Sequence, residues 1–259
     1  PKFFEGEHIG IAYGMGITAE KVASMWEISR QAQDQFAVQS HERALAAIAR
    51  KEFAQEILPY EVLSREPDLK HASIQEKRIE VLKDNGPRAS DVTVLSRLQT
   101  VFSAKGTVTA GNASQVSDGA AAILLASEQA VKDYNLKPLA RFCGYSVAGV
   151  APEVMGIGPI EAIPRCLKQT GVDLKQVDWI ELNEAFAAQT LAVMQTLKLD
   201  PTKVNPLGGA IALGHPLGAT GAIRTATVCH ALKRHRLRYG MVTMCIGTGM
   251  GAAGLFEAV

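Results

Sequence analysis

The sequence has 259 residues, of which 47% are hydrophobic, 20% charged and 6% aromatic. A chain of this length can bury a core as one large domain or two moderate ones. Its formal net charge of +1 indicates neither nucleic-acid binding nor attraction to a membrane surface. No apolar run reaches the roughly 18 residues of a membrane span. The opening residues do not resemble a secretory leader, so we expect a cytoplasmic protein.

The cysteine pattern argues against a metal or redox site. None of the four cysteines forms a CxxC pair, which is typical of structural zinc sites and redox pairs. They are Cys143, Cys166, Cys229 and Cys245. His230 and His235 do not share a helical face, so we predict no metal site. The chain opens on Pro1 without a start-of-domain pattern, and we expect that a further segment of the protein precedes it.

Two amphipathic helices are predicted in the N-terminal part. Thr18 is a candidate cap for the first, and Ser29 for a longer second helix. Asp34 is expected away from the apolar face of that second helix. The apolar positions that repeat at helical spacing are Ala19, Val22, Ala23 and Trp26, then Ala32, Phe36, Ala37, Ala44, Ala47 and Ile48.

Residues 51–105 lose this periodicity and gain charge, and three prolines interrupt any long element. We predict an irregular excursion here. Insertions of this length are often functional, although a solvated surface fits the composition equally well.

The remainder of the chain predicts an α/β fold. The run AAAILLA at 120–126 predicts a strand buried on both faces. After a boundary near residues 128–138, strands and helices alternate, which favours right-handed crossovers and a largely parallel sheet. The predicted strands are 138–150, 177–184, 203–206, 239–246 and 254–259. The predicted helices are 159–170, which ends at Gly171, 185–197 and 217–235.

The glycine-rich stretch GTGMGAAG, residues 247–254, superficially matches a dinucleotide-binding fingerprint. The residues after it are too few for the helix, strand and acidic residue which that fingerprint requires. We therefore predict a tight turn between two strands, where backbone N–H groups can face negative charge. Cys245 precedes this turn and is either an inert buried thiol or, at the carboxyl end of a strand, part of a ligand crevice.

The stretch GHPLGATG, residues 214–221, places His215 among glycines. Pro216 suits the first position of a helix, and a helix N-terminus disfavours an imidazolium. A neutral His215 that accepts a proton is therefore predicted, with a histidine that caps its own loop as the alternative. Five flanking glycines, at 208, 209, 214, 218 and 221, favour the chemical role.

Two polar residues at predicted turns have both a structural and a chemical interpretation. Asn183 is either the N-cap of the next helix or an amide that holds a water or a carbonyl oxygen. Ser114, in GNAS, either belongs to a plain turn or offers its hydroxyl to a ligand. The basic run at 233–238 is best explained as a helix C-terminus, where positive charge is favourable.

Five motifs, in this order, resemble those of the thiolases, and among them the degradative 3-ketoacyl-CoA thiolases. They are GNASQVSDGAAAILLAS, MGIGP, ELNEAFAAQ, VNPLGGAIALGHPLGATGA and MCIGTGMGAAGLFE. The resemblance implies a layered α/β/α/β/α fold of two similar halves, with an inserted loop domain that covers coenzyme A. Residues 1–110 would mainly form that loop domain, 111–135 the end of the N-terminal half, and 136–259 the C-terminal half.

The resemblance also implies a reaction, the thiolytic cleavage of a 3-ketoacyl-CoA by CoA in fatty-acid β-oxidation, by a ping-pong route through a nucleophilic cysteine. His215 would take the proton of that nucleophile, and Cys245 would exchange a proton with the α-carbon of the acetyl unit. Asn183 would hold an oxyanion-hole water, and the N–H of Gly247 would donate to the second oxyanion. The coenzyme A site would be lined by Ser114, Met15, Ala110 and Phe186. Coenzyme A is a substrate here, and no permanently bound cofactor is implied.

The chain departs from the family pattern at two points. The family nucleophile has a Cys-Gly-Ser-like context that none of the four cysteines shares, and Gly14 stands where several members have a histidine before Met15-Gly16. We therefore expect the chain alone to be inactive. A biosynthetic acetoacetyl-CoA thiolase (an acetyl-CoA C-acetyltransferase) and a non-catalytic protein that binds CoA thioesters or lipids are the alternatives. The resemblance implies a homodimer or homotetramer, and leaves the peroxisome and the mitochondrial matrix open beside the cytoplasm.

Overall fold

The computed structural model describes residues 6–259. Its helices are α1 (Met15–Met25), α2 (Arg30–Ala49), α3 (Val92–Ser96), α4 (Glu128–Asp133), α5 (Gly158–Thr170), α6 (Ala187–Leu197), α7 (Ala210–Leu213) and α8 (Thr220–His235). Its strands are β1 (Tyr60–Asp68), β2 (Ser73–Val81), β3 (Ala140–Gly149), β4 (Val177–Leu182), β5 (Tyr239–Ile246) and β6 (Met250–Ala258). Short 3₁₀ helices span Gly6–Ala12, Pro152–Ile157 and Leu174–Gln176. None of the described helices is both long and apolar enough to cross a membrane.

The two N-terminal helices are confirmed, but only one of their predicted caps is. The Ser29 Oγ accepts from the Ala32 backbone N–H at 3.1 Å and caps α2. Thr18 lies inside α1, because the backbone already turns helical at Met15 after an extended Gly14. Asp34 is buried rather than turned outward. Its carboxylate accepts from Arg30 Nε at 2.8 Å, and an ion pair of this kind makes burial tolerable.

The predicted irregular excursion contains a regular hairpin. Strands β1 and β2 pair antiparallel over nine residues each, from Tyr60 opposite Val81 to Asp68 opposite Ser73. Nearly every residue of both strands is exposed. Charged and apolar residues do not alternate regularly here. The sequence therefore lacks the period-2 pattern by which a strand is recognised, although the backbone pairs.

The predicted α/β alternation after residue 138 is confirmed, but the largely parallel sheet is wrong. The four strands lie in the order β3-β6-β5-β4, and only β4 and β5 are parallel. The turn between β5 and β6 is three residues long, which forces antiparallel pairing. β3 then adds antiparallel to β6. The predicted strand at 203–206 is reduced to a single parallel bridge between Ile180 and Val204.

Helices cover both faces of this sheet. One core joins α5 and α6 to the sheet through fully buried residues such as Ile163, Val193 and Leu255. A second core joins α8 and the end of α2 to the opposite face, around Trp179 and Leu232. Gly171 ends α5 with a φ of +69°, as its position predicted.

The run at 120–126 does not form the predicted buried strand. It forms neither strand nor helix, and the side chains of Leu124 and Leu125 are 83% and 81% exposed. An apolar run becomes a strand only when a neighbouring strand satisfies its backbone groups. Within residues 6–259, no strand lies beside it.

His41 of α2 is a buried histidine that holds a neighbouring loop. Its Nδ1 accepts from the backbone N–H of Arg88 at 3.3 Å. Burial, and then the charge of Arg88, lower the pKa of His41 from 6.5 to about 4. The folded chain therefore keeps this imidazole neutral at pH values where the unfolded chain binds a proton.

We expect this histidine to make stability depend on pH. Above pH 6.5 neither state is protonated at His41; as the pH falls to about 4, only the unfolded state gains the proton, so the free energy of unfolding decreases. The loss is on the order of 3 kcal/mol. Urea unfolding between pH 4 and 7 measures it against His41→Asn, whose amide oxygen replaces Nδ1. Parallel curves for the two proteins would contradict the assignment.

Candidate active site

The carboxyl ends of β4 and β5 lie side by side and bring two of the predicted site residues together. Leu182 pairs with Thr243 in the parallel register. The next residue, Asn183, donates its backbone N–H to the Thr243 carbonyl at 3.0 Å. Cys245 follows two residues later on β5. This edge is where open α/β sheets commonly place ligands.

His215 reaches the same edge from the segment between α7 and α8. Its Nε2 lies 3.4 Å from Nδ2 of Asn183, and its Nδ1 lies 2.7 Å from Oγ1 of Thr220. Because an amide nitrogen only donates, this arrangement makes Nε2 the acceptor and has Nδ1–H donate to Thr220. The Asn183 amide thereby sets the tautomer that leaves Nε2 without a hydrogen, and the Thr220 hydroxyl accommodates it by accepting from Nδ1.

The pKa of His215 is lowered, as expected, but not by a helix N-terminus. Burial is the first cause, and the positive charge of Arg224 is the second. Helix α8 begins only at Thr220, so Pro216 is not its first residue. The predicted neutral imidazole therefore depends on tertiary packing rather than on the local turn.

Asn183 is not a helix cap. The N-cap of α6 is Phe186, three residues further along. Among the described residues, no hydrogen-bond donor reaches the buried Oδ1 of Asn183. A buried amide oxygen without a partner is costly. The side chain therefore offers one polar atom for a water or a ligand beside His215.

Cys245 ends β5 with its thiol held in the protonated form. Its Sγ lies 3.9 Å from Oε1 of Gln189, and burial raises its pKa to about 11, because desolvation disfavours the thiolate. At neutral pH this residue holds its proton.

The glycine-rich turn after β5 forms as predicted. Gly247 is exposed and begins the turn, and no atom lies within 4 Å of the position a Cβ would take there. Gly249 has a φ of +100°, and a Cβ there would overlap the Val150 carbonyl oxygen. Only glycine fits at 249, whereas the space beside Gly247 stays open.

Ser114 and His215 line one cavity of about 620 Å³, whose walls are residues 114–121 and 215–219. Ser114 also donates its backbone N–H to the Ala185 carbonyl at 2.9 Å, and Ala113 forms a bridge with Phe186. The GNAS turn is therefore attached to the segment that follows Asn183. Its own asparagine, Asn112, is structural, since its Nδ2 donates to the buried Asp34 at 2.9 Å.

The remaining predicted residues lie around this centre. A Cβ at Gly16, next to Met15, would overlap the ring of Phe102, and that ring packs edge-on against Phe186 with centroids 6.2 Å apart. Phe102 thus lies between Gly16, the neighbour of Met15, and Phe186, which are far apart in the sequence. Sequence reasoning missed it because no motif marks it.

Ala110 lines a different cavity. This cavity of about 540 Å³ lies between the 88–98 segment and residues 110–111. Arg88 contributes a positive charge to its wall, and Leu95 and Leu98 contribute apolar surface. Sequence reasoning did not single out Arg88, since it stands in the charged excursion among many similar residues.

Two family models match the chain. Residues 8–129 match the thiolase N-terminal domain, and residues 136–258 match the thiolase C-terminal domain. The chain is also 50% identical, over 244 residues, to the 3-ketoacyl-CoA thiolase of Bacillus subtilis (strain 168). That match covers 94% of this chain and 62% of the relative. The chain thus spans less than two thirds of that relative's length.

Solved structures show the same fold. An acetyl-CoA acetyltransferase of Bacillus anthracis matches with a TM-score of 0.89 and 44% identity over 95% of this chain and 60% of its own. The human mitochondrial 3-ketoacyl-CoA thiolase in complex with CoA matches with a TM-score of 0.83 and 42% identity, over 95% and 59%. The dimeric peroxisomal thiolase of Saccharomyces cerevisiae matches with a TM-score of 0.86 and 44% identity, over 100% of this chain and 62% of its own.

The predicted thiolase-like α/β fold is thereby confirmed. Three findings agree. The two domain models match in family order, about half of the aligned residues are identical to those of a thiolase, and the fold matches solved thiolases. This chain belongs to the thiolase family.

Proposed function

We propose that the protein containing this chain is an acyltransferase that cleaves 3-ketoacyl-CoA with free CoA, giving acetyl-CoA and a shortened acyl-CoA in fatty-acid β-oxidation. The neutral His215, with its basic Nε2 beside the partly unpaired Asn183 amide, is the observation that carries this proposal. The similarity to 3-ketoacyl-CoA thiolases supports the substrate class.

The nucleophile in this proposal is a cysteine that the 259-residue sequence does not contain. Burial raises the pKa of all four thiols of the chain, namely Cys143, Cys166, Cys229 and Cys245. An attacking cysteine needs a lowered pKa or an adjacent base. His215 is suited to be that base for a cysteine brought to its Nε2 by the rest of the protein.

The proposed first half-reaction uses both proton carriers. His215 takes the thiol proton, and the thiolate attacks the 3-keto carbon. The bond between C2 and C3 then breaks, leaving an acyl-cysteine and an acetyl-CoA carbanion. Cys245, whose thiol keeps its proton at neutral pH, protonates that carbanion. In the second half, the Cys245 thiolate takes the proton of the CoA thiol, and the CoA sulfur attacks the acyl-cysteine carbonyl. The released cysteine thiolate then takes its proton back from His215.

Oxyanion stabilisation falls to two groups in this scheme. Asn183 holds a water through its unpartnered Oδ1, that water donates to one oxyanion, and the Gly247 N–H donates to the other. One such donor typically contributes about 3–4 kcal/mol to lowering the barrier. The open space beside Gly247 fits the approach of a substrate.

Coenzyme A is proposed as a substrate rather than a resident cofactor. The Ser114 cavity holds its reactive end beside His215. The Ala110 cavity, with Arg88 in its wall, suits a phosphate-bearing portion, because a guanidinium pairs well with phosphate oxygens. Met15 and Phe186, joined through Phe102, add apolar surface.

A second candidate is a biosynthetic acetoacetyl-CoA thiolase, favoured by the fold similarity to an acetyl-CoA acetyltransferase. It uses the same residues in the reverse direction, so the chain-length profile separates the two. Activity confined to four-carbon substrates supports the biosynthetic enzyme, and cleavage of longer 3-ketoacyl-CoA supports the degradative one. A non-catalytic protein that binds CoA thioesters is the third candidate, and it gives binding without turnover.

We also propose a homodimer or homotetramer, since one relative is described as dimeric. The cytoplasm is the proposed compartment for a bacterial protein, and the peroxisome or the mitochondrial matrix for a eukaryotic one. Residues 1–110 act as the loop domain in this proposal, 111–135 complete the N-terminal half, and 136–259 form the C-terminal half.

The isolated 259-residue chain is expected to show no detectable thiolysis, because it lacks the nucleophile. Joining it to the N-terminal segment of a thiolase that carries a Cys-Gly-Ser nucleophile should restore cleavage, followed as the loss of 3-ketoacyl-CoA absorbance. Robust turnover by the isolated chain would overturn the proposed mechanism.

In the complete protein, Cys245→Ser is expected to lower kcat about 100- to 10,000-fold, since a hydroxyl is a far weaker proton donor. Cys229→Ser is the matched control, because burial also raises its pKa to about 11 but it faces no part of the proposed site. Steady-state kinetics compare the two. Equal losses would show that Cys245 acts only through packing.

Arg88→Gln is expected to raise the KM for CoA about tenfold with little change in kcat, because it removes a charge used only in binding. Arg97→Gln removes the same charge from an exposed position outside the cavity and should leave KM within about twofold. A KM unchanged by both substitutions places CoA elsewhere.

A further inference from the structure

Glu184, the residue after Asn183, is buried at the centre of a hydrogen-bond cluster. Its Oε2 accepts from the Ser40 hydroxyl at 2.7 Å and from the Ile211 backbone N–H at 3.2 Å. Its Oε1 accepts from Nδ2 of Asn205 at 2.9 Å. The three donors come from α2, from α7 and from the loop between α6 and α7. One carboxylate therefore joins three separate segments of the chain.

Two glycines before α7 allow the chain to pass close to this carboxylate and to α2. A Cβ at Gly209 would overlap the Glu184 carboxylate group, so only glycine fits there. The Gly209 N–H donates to the Ser40 hydroxyl at 3.0 Å. Gly208 has a φ of +83°, and a Cβ there would contact α2 at the carbonyl oxygen of Ser40. Gly209 therefore makes room for Glu184, and Gly208 makes room for α2, rather than for the histidine.

Both members of the candidate catalytic pair, Asn183 and His215, lie on chain segments that are attached to Glu184. Asn183 is its chain neighbour. His215 follows the short helix α7, whose second residue, Ile211, donates to the carboxylate. The contact of 3.4 Å between Asn183 Nδ2 and His215 Nε2 closes this loop. A shift of α7 away from Glu184 would therefore change the spacing of the pair.

The donor set favours the ionised form of Glu184. All three partners donate, so a carboxylate satisfies them, whereas a protonated acid would present a hydrogen to one of them. The pKa of Glu184 is raised overall, because burial outweighs the opposing effects of the Ser40 and Asn205 hydrogen bonds and of the Arg224 charge. Hydrogen bonds from fixed donors of this kind are stronger to a charged acceptor.

We propose that Glu184 is a positioning residue, whose buried carboxylate holds Asn183 and the α7–His215 segment at the spacing that acyl transfer requires. The inference rests on the function proposed above, because it assigns Glu184 a role through Asn183 and His215. Ser40, on α2, donates to the same carboxylate. Glu184 therefore also links helix α2 of the proposed loop domain to the segments that hold Asn183 and His215. Small displacements of reacting groups reduce rates steeply, which gives such a residue a measurable effect.

The test is a double-mutant cycle in the complete protein, with kcat, KM and the thermal midpoint measured for every variant. Glu184→Gln keeps the shape but turns an NH₂ group toward the donors. We expect it to lower kcat at least about tenfold in the otherwise native protein and about threefold or less in an Asn183→Ala background. The KM for the thioester should stay within about threefold in both.

Glu20→Gln is the matched control for lost stability. The Glu20 carboxylate also holds a backbone segment, accepting from the N–H groups of Thr107 and Val108 at 2.8 and 2.9 Å, but it contacts neither Asn183 nor His215. Its effect on kcat should multiply with that of Asn183→Ala. If the effects of Glu184→Gln and Asn183→Ala on kcat also multiply, the two residues act independently. That result would overturn the inference and make Glu184 a core residue only.

Two further variants keep the result interpretable. If Glu184→Gln does not fold, Ser40→Ala removes one donor to the carboxylate together with the acceptor of the Gly209 N–H. It is judged by the same cycle, with an expected loss of about threefold in kcat. Asn183→Ala and His215→Ala alone test the underlying function. Unchanged thiolysis in those two would refute the proposed function, whereas slow thiolysis in both with an independent Glu184→Gln effect refutes only the positioning role.

Discussion

The parallel pairing of β4 with β5 is the constraint on which the rest of the site depends. It places the carboxyl ends of both strands at one edge, so that Asn183 and Cys245 lie beside each other although 62 positions separate their numbers. The backbone bond from Asn183 to Thr243 fixes the point at which β4 leaves the sheet. His215 can then contact Asn183 only because α7 returns the chain to the same edge.

Buried charge decides the chemistry at that edge. Arg224 forms a buried ion pair with Glu181 and also helps to lower the pKa of His215. Desolvation moves the two pKa values in opposite directions: it lowers that of His215 and raises that of Cys245. One physical effect therefore keeps both side chains neutral, as the proposed mechanism requires, because burial penalises whichever form is charged.

Local sequence signals predicted individual helices, strands and turns well, but they did not predict which strands pair with each other. Ser29 and Gly171 mark helix ends through hydrogen bonding and a left-handed φ, which depend on few neighbours. The alternating elements after residue 138 and the turn after β5 were predictable for the same reason. The antiparallel addition of β3 to β6 and the missing partner of residues 120–126 were not, because pairing depends on residues far away along the chain.

By itself, the sequence determined the alternating helices and strands after residue 138, the family motifs and the residue types at His215, Asn183 and Cys245. Only the tertiary structure decided the tautomer of His215, through the Asn183 amide, and the raised pKa of Cys245. It also showed that Gly209 makes room for the Glu184 carboxylate. Hydrogen-bond partners and desolvation arise from groups brought together by folding, so no local pattern of residues records them.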